Sequence, residues 1–193
     1  MVATPTPASL TGATPLVDGL LIRPAAESDA AALAAAYRAS REHLRPWEPR
    51  RTEDFFTTEG QRARLREQAA ERRAGRVAAW VLVDGDEIAG AATLSGIVRG
   101  PFQSASLGYW IAAGHVGRGL ATATARAVCQ IADRDLGLHR VQAGTLTHNV
   151  RSQRVLAKCG FVRFGTAERY LHIDGAWQDH VLFQRLLNDR HPA

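Results

Sequence analysis

The chain has 193 residues, 46% hydrophobic and 22% charged, which is enough to bury one sizeable core without disulfide or metal staples. Twenty-four Lys and Arg against 19 Asp and Glu leave a formal net charge of +5, which invites an anionic partner. No apolar run approaches the roughly 20 residues that span a membrane. The seven histidines show no ligand spacing, so a membrane protein and a metal centre are both set aside.

Residues 1–19 are rich in Thr, Pro and Ala, without a basic start or an apolar h-region, and read as a disordered tail rather than a signal. A first strand is expected at 20–23, stopped by Pro24. Ser28 or Asp29 caps an Ala-rich helix to about residue 40. After His43-Leu44-Arg45-Pro46-Trp47-Glu48-Pro49, an Arg-rich helix is expected over 58–74. Residues 77–83 and 87–98 read as a hairpin with Asp84-Gly85 as its turn. Strand 103–112 leads through a loop with glycines at 114, 117 and 119 into a helix from residue 121. Strand 140–147 precedes a helix of about ten residues bounded by Asn149 as N-cap and Gly160 as terminator. A second hairpin, 161–173 with 176–187, turns at Asp174-Gly175, and 188–193 form a short tail. The expectation is one domain over 20–187, with no internal repeat. Its class is mixed α/β, with a mostly antiparallel central sheet and one parallel pair at a cofactor site.

The glycine loop carries the chemistry. A strand feeding a helix through such a loop presents successive backbone N–H groups at the positive end of the helix, a site for a diphosphate. No Gly-x-x-x-x-Gly-Lys-Ser/Thr run occurs. Gly117 and Gly119 are followed by Thr122 where a dinucleotide fingerprint needs its third glycine. The next strand also ends Leu-Thr-His-Asn, without the expected acidic residue. ATP and NAD are poor fits. The bland alternative is a strand–loop–helix turn without a ligand, against which stands the entropic cost of three glycines in six residues.

The order of strand, Gly loop, helix, strand, Asn149-x-x-Ser152 helix and Gly160-Phe161 resembles the acetyl-CoA core of the GNAT family of N-acetyltransferases. Trp47-Glu48-Pro49, Val98-Arg99-Gly100, Leu107-Gly108-Tyr109 and the segment from Tyr170 to Leu182 resemble its RimJ branch, over about residues 20–187. The resemblance implies two splayed parallel strands with pantetheine between them. It further implies transfer of acetyl from acetyl-CoA to the α-amino group of a protein or peptide, a ribosomal protein in that branch. The cofactor residues it implies are Trp110, Ile111, Val116, Gly117, Arg118, Gly119, Leu120, Ala121, Thr122, Asn149, Arg151 and Ser152.

The departures bear on mechanism. Gly114 stands where the family's loop starts with Arg or Gln, and Arg118 is expected to supply that charge. Leu156 replaces the Tyr that many relatives carry seven residues after the Asn, and about Gly144 stands where related enzymes carry a catalytic Glu. Ser152 is therefore the candidate proton donor to the leaving thiolate; its bland reading is helix capping. A backbone N–H near 109–111 is expected to polarise the acyl carbonyl. Glu48 is assigned to the substrate ammonium, with Glu48, Glu168 or water as base, and Trp47 and Tyr170 to the peptide slot; packed surface aromatics are the alternative. An α-amine titrates near 8 and a lysine near 10.4, so a site without an evident carboxylate disfavours lysine by roughly 4 kcal/mol.

Arg62, Arg66 and Arg73 share roughly one helix face. A solvated face, docking to a ribosome and base readout are the readings, with no motif for specific nucleic-acid binding. Cys129 and Cys159 read as buried thiols of a reducing, cytoplasmic compartment. Monomer and homodimer both remain open. The alternative functions are acetylation of a small-molecule amine, such as an antibiotic or toxin, and non-catalytic CoA-responsive ribosome binding.

Overall fold

The computed structural model describes residues 12–191. The elements in chain order are β1 (Thr14–Pro15), β2 (Leu21–Pro24), α1 (Ala30–Ala39), α2 (Arg41–Leu44), α3 (Thr58–Arg73), β3 (Ala78–Asp84), β4 (Glu87–Val98), β5 (Ser104–Ile111), α4 (Leu120–Arg134), β6 (Arg140–Leu146), α5 (Val150–Lys158), β7 (Val162–Ile173) and β8 (Ala176–Leu186). The strands make one sheet in the order β1-β2-β3-β4-β5-β6-β8-β7. Among the described residues only β5 and β6 pair in parallel. The predicted mixed α/β class is the observed one.

The period of two along β3 builds the layers. Trp80 joins Leu94, Val128, Ile131 and Leu156 on the face covered by α4 and α5. Leu82 lies with Leu120 of α4. Val81, between them, meets Leu33, Tyr37 and Leu65 of α1 and α3 on the opposite face. Asp29 closes the entry to α1 by receiving Arg23 at 2.7 and 2.8 Å and the Ala26 N–H at 2.8 Å.

Three expectations shift. The first hairpin turns at Gly85-Asp86, because Asp84 pairs with Glu87. A register shift between Leu82 and Val83 leaves Ala89 as an extra residue in β4, and the strands run one pair further than their composition implies. The expected tail to residue 19 is ordered where described: Thr14 pairs with Ile22. Residues 1–11 lie outside the described set. Asn188, placed in a tail, donates to the Asp133 carboxylate at 2.7 Å and to the Leu138 carbonyl at 2.9 Å. The second hairpin turns at Asp174-Gly175 as expected, with positive φ of 44° and 87° at the two residues.

The opening in the sheet has a simple origin. β5 and β6 share only three rungs, Ser104–Arg140, Ala105–Val141 and Ser106–Gln142. Beyond them β5 stays with β4 as far as Ile111, while β6 stays with β8 as far as the Leu146–His180 pair. Gly90 keeps β4 against β5 in this stretch: a Cβ there would lie 2.4 Å from the Trp110 carbonyl oxygen. The two strands separate, and a cleft opens between them.

Candidate active site

The cleft encloses about 390 Å³ between Leu107–Trp110 of β5 and Ala143–Leu146 of β6, with Asn149 and Ser152 of α5, Trp47–Pro49 and Leu171–Ile173 around it. One buried polar atom on its facing strands, Thr145 Oγ1, has no hydrogen-bond partner among the described residues.

The glycine loop follows β5. The His115 N–H donates to the Ala112 carbonyl at 2.8 Å, and the Ala113 N–H to Ser40 Oγ at 3.1 Å. The N–H groups of residues 116–121 have no acceptor among the described residues. Gly117 and Gly119 take φ of 84° and 78°, and nothing lies within 4 Å of a Cβ built on either. Backbone conformation rather than crowding therefore requires glycine at both positions. Gly119 is the N-cap of α4, so the free amides stand at the positive end of a 15-residue helix. These groups fit a diphosphate.

Arg118 departs from its expected role. Its guanidinium donates to Asp84 at 3.1 Å and to Asp18 at 3.4 Å, while His115 Nε2 lies 3.2 Å from the same Asp84 carboxylate. Arg118 thus braces the loop against the β3–β4 hairpin, and the loop offers amides instead of a free cation. Ile111 and Leu120 bury their side chains together with Leu82, and the Trp110 ring packs 4.4 Å from Tyr37. Arg151 is exposed on the first turn of α5.

Asn149 Oδ1 accepts from the Ser152 N–H at 3.1 Å, closing the N-terminus of α5. That turn aims the Ser152 hydroxyl at Tyr109, whose OH lies 3.0 Å from Ser152 Oγ. Burial pushes the Tyr109 phenol up to about 12, with the Ser152 hydrogen bond acting in the opposite direction. Both hydroxyls are therefore proton donors at neutral pH. Sequence reasoning missed Tyr109 as a reactive group. Its only signal is the Leu-Gly-Tyr motif, 43 residues before Ser152.

Glu48 is half-buried in the cleft wall. Burial pushes its carboxyl above the usual range, and Arg51 and Arg64 pull it back. The Asp174 N–H donates to the Glu48 carbonyl at 3.1 Å, tying the Trp-Glu-Pro turn to the β7–β8 hairpin. Trp47 stands at the rim, its ring 5.6 Å from that of His148. Tyr170 lies on an irregular stretch of β7 where register shifts between Ala167 and Leu171. The Arg169 N–H there donates to Asp179 at 2.8 Å. The Tyr170 ring lies 5.5 Å from His180. Glu168, on the same stretch, is exposed and does not line the cleft. His180 does line it, and the sequence analysis had not singled it out.

Two of the three arginines expected on one face, Arg62 and Arg66, both meet Glu27, at 3.9 and 2.6 Å. Arg64 turns inward over Tyr37 and Phe55 and reaches the cleft. Both cysteines are buried, and burial pushes the Cys129 thiol up to about 12. No helix among the described residues is long and apolar enough to cross a membrane.

A sheet that parts beside an amide-lined helix N-terminus, with a hydroxyl pair in the gap, is the framework of an acyl-transfer enzyme that takes a phosphorylated carrier. The family profile for the acetyltransferase (GNAT) domain matches residues 19–162. The chain belongs to that family and is an N-acetyltransferase. Within it, the chain is 39% identical over 167 residues to the ribosomal protein uS5-alanine N-acetyltransferase of Escherichia coli, covering 86% of each chain. The ribosomal-protein-S5-alanine acetyltransferase of Vibrio fischeri superposes with a TM-score of 0.89 at 32% identity, covering 94% of this chain and all of that one. RimJ of Mycobacterium smegmatis, solved with CoA-disulfide, gives 0.83 at 34% identity, covering 86% of this chain and 81% of that one.

Proposed function

We propose that this protein transfers the acetyl group of acetyl-CoA to the α-amino group of a protein N-terminus, with a ribosomal protein as acceptor. One observation carries the reading. The Tyr109–Ser152 hydroxyl pair lies in the same cleft as the Trp47-Glu48 turn, beside the strand that leads into the free amides of 116–121. The relatives that modify the N-terminal residue of a ribosomal protein share most of the chain, which supports the acceptor class.

Acetyl-CoA supplies an activated thioester carbonyl and a thiolate leaving group. The chain's own groups then divide the work. The amides of Val116, Gly117, Arg118, Gly119, Leu120 and Ala121 bind the diphosphate, with Thr122 in the first turn of α4 and Arg151 beside them on α5. A backbone N–H between Tyr109 and Ile111 faces the gap and stabilises negative charge on the acyl oxygen. Ser152 Oγ gives its proton to the departing sulfur, and Tyr109 OH supports it through the 3.0 Å contact. Glu48 holds the acceptor's ammonium group while Trp47 and Tyr170 flank the peptide. Two buried thiols suit a reducing, cytoplasmic setting, and the domain extends over about 20–187.

The test is mass spectrometry of peptides beginning with Ala, Ser, Thr or Met, incubated with the protein and acetyl-CoA. N-terminally blocked peptides with free lysines are the control. Acetylation confined to free N-termini is expected. Acetyl-CoA binding without peptide acetylation, accompanied by turnover of small amines, would overturn the acceptor assignment.

A further inference from the structure

The cleft has a proton donor for sulfur, and three side chains along it, Glu48, His172 and His180, are candidates to accept the proton of the incoming ammonium. Glu168 is exposed and outside the cleft. Glu48 lies 4.0 Å from the Arg51 guanidinium, and His172 is exposed with its ring edge-on to Trp177. Position 144 of β6 is a glycine. A Cβ built on Gly144 would meet the rings of His180 at 3.6 Å and Tyr170 at 3.7 Å. The rings of His180 and Tyr170 thus stand in van der Waals reach of the strand at Gly144.

His180 is 4% exposed, and its side chain lines the cleft together with Tyr109 and Ser152. Its Nδ1 lies 3.0 Å from the Gln178 carbonyl oxygen. A carbonyl only accepts, so Nδ1 carries the hydrogen, and in the neutral ring the lone pair is on Nε2. Nε2 has no partner among the described residues and, unlike Thr145 Oγ1, is not sealed from solvent. A buried imidazole with its tautomer set by a backbone carbonyl and its other nitrogen open to a substrate cleft has the form of a general base.

We infer that His180 is the base of the reaction, taking through Nε2 the proton that the acceptor's α-ammonium must lose before attack. This rests on the proposed α-amine acetylation. Nε2 accepts one proton, the freed nitrogen lone pair forms the C–N bond to the acetyl carbon, and the C–S bond breaks. The second proton lost by that nitrogen balances the one Ser152 delivers to sulfur. The imidazolium, still donating through Nδ1 to Gln178, releases its proton to water. Glu48 then only attracts the ammonium, and Tyr170, beside the imidazole at 5.5 Å, limits its movement.

The experiment compares wild type, H180Q, H180A and E48Q with two acceptors: a peptide with an ordinary α-amine, and the same peptide capped with an aminooxyacetyl group, which is unprotonated at neutral pH. Wild-type turnover of the ordinary peptide tests the underlying reading independently, and its absence would end that reading without any variant. With turnover established, H180Q is expected to lose roughly 10²–10³-fold in kcat on the ordinary peptide. It should lose less than about tenfold on the aminooxy peptide, because no ammonium needs a base there. Its acetyl-CoA affinity should be unchanged, and added imidazole should restore H180A. Equal losses on both acceptors, failure of imidazole to restore H180A, or an E48Q loss in kcat larger than that of H180Q would each overturn the assignment.

Discussion

Replacing Tyr109 by Phe removes one hydroxyl and leaves the ring in place, so it isolates the 3.0 Å contact to Ser152 Oγ. A hydrogen bond between neutral groups contributes about 0.5–1.5 kcal/mol, which is about 2- to 12-fold in rate. Y109F is therefore expected to slow the acetylation of a peptide N-terminus by that factor, with little change in acetyl-CoA affinity. S152A removes the group that protonates the leaving sulfur and is expected to cost about 10²-fold in kcat. Because Tyr109 acts through Ser152, the double variant should be no slower than S152A alone, and the two losses should fail to add. Steady-state kinetics with a thiol-release assay gives the four rates, and tryptophan fluorescence gives the acetyl-CoA dissociation constants. If Y109F loses more than S152A while the double variant matches Y109F, Tyr109 is the terminal donor and the reasoning about Ser152 is refuted.

E48Q removes a carboxyl whose proton is held to higher pH in the folded chain than in the unfolded one, so native stability falls as pH rises through that window. The variant should be at least as thermally stable as wild type at neutral pH and should lose any advantage below the ordinary carboxylate range, while its KM for peptide rises; a lower melting temperature at neutral pH would contradict the burial argument. R118A should change the acetyl-CoA dissociation constant by less than about threefold, since its guanidinium is committed to Asp84 and Asp18; a tenfold loss by calorimetry would make it a cofactor ligand. D29A leaves Arg23 without its carboxylate and the Ala26 N–H without an acceptor. It should cost less in urea unfolding than the about 3–5 kcal/mol typical of a fully buried pair, because the Arg23 side chain keeps 34% exposure.

Much of this molecule was readable from the chain because its signals are local. Asn149 and Gly160 bracket α5 by capping chemistry, Asp174-Gly175 meets the two positive φ values of its turn, and the glycines at 117 and 119 mark an amide loop. Each depends on neighbours within a few residues. The turn at Gly85-Asp86 was misplaced by one residue because an extra residue at Ala89, across the hairpin, sets the register. The side-chain commitments were also out of reach. Arg118 reads as a free cation until Asp84 and Asp18 are folded beside it, and Arg62 and Arg66 read as a basic face until Glu27 arrives from 35 residues or more upstream.

By itself, the sequence determined the order of the main elements from β2 to β8, the second hairpin, the amide loop and the Asn149–Ser152 turn, since hydrophobic period, caps and glycine conformations act over a few residues. Only the tertiary structure decided which groups share the cleft. Tyr109 reaches Ser152 because β5 and β6 part after three rungs, and His180 reaches the gap because β8 lies beside β6, with His180 opposite Leu146. Contacts across strands far apart in the chain are fixed by sheet order and register, and those are properties of the whole sheet rather than of any one segment.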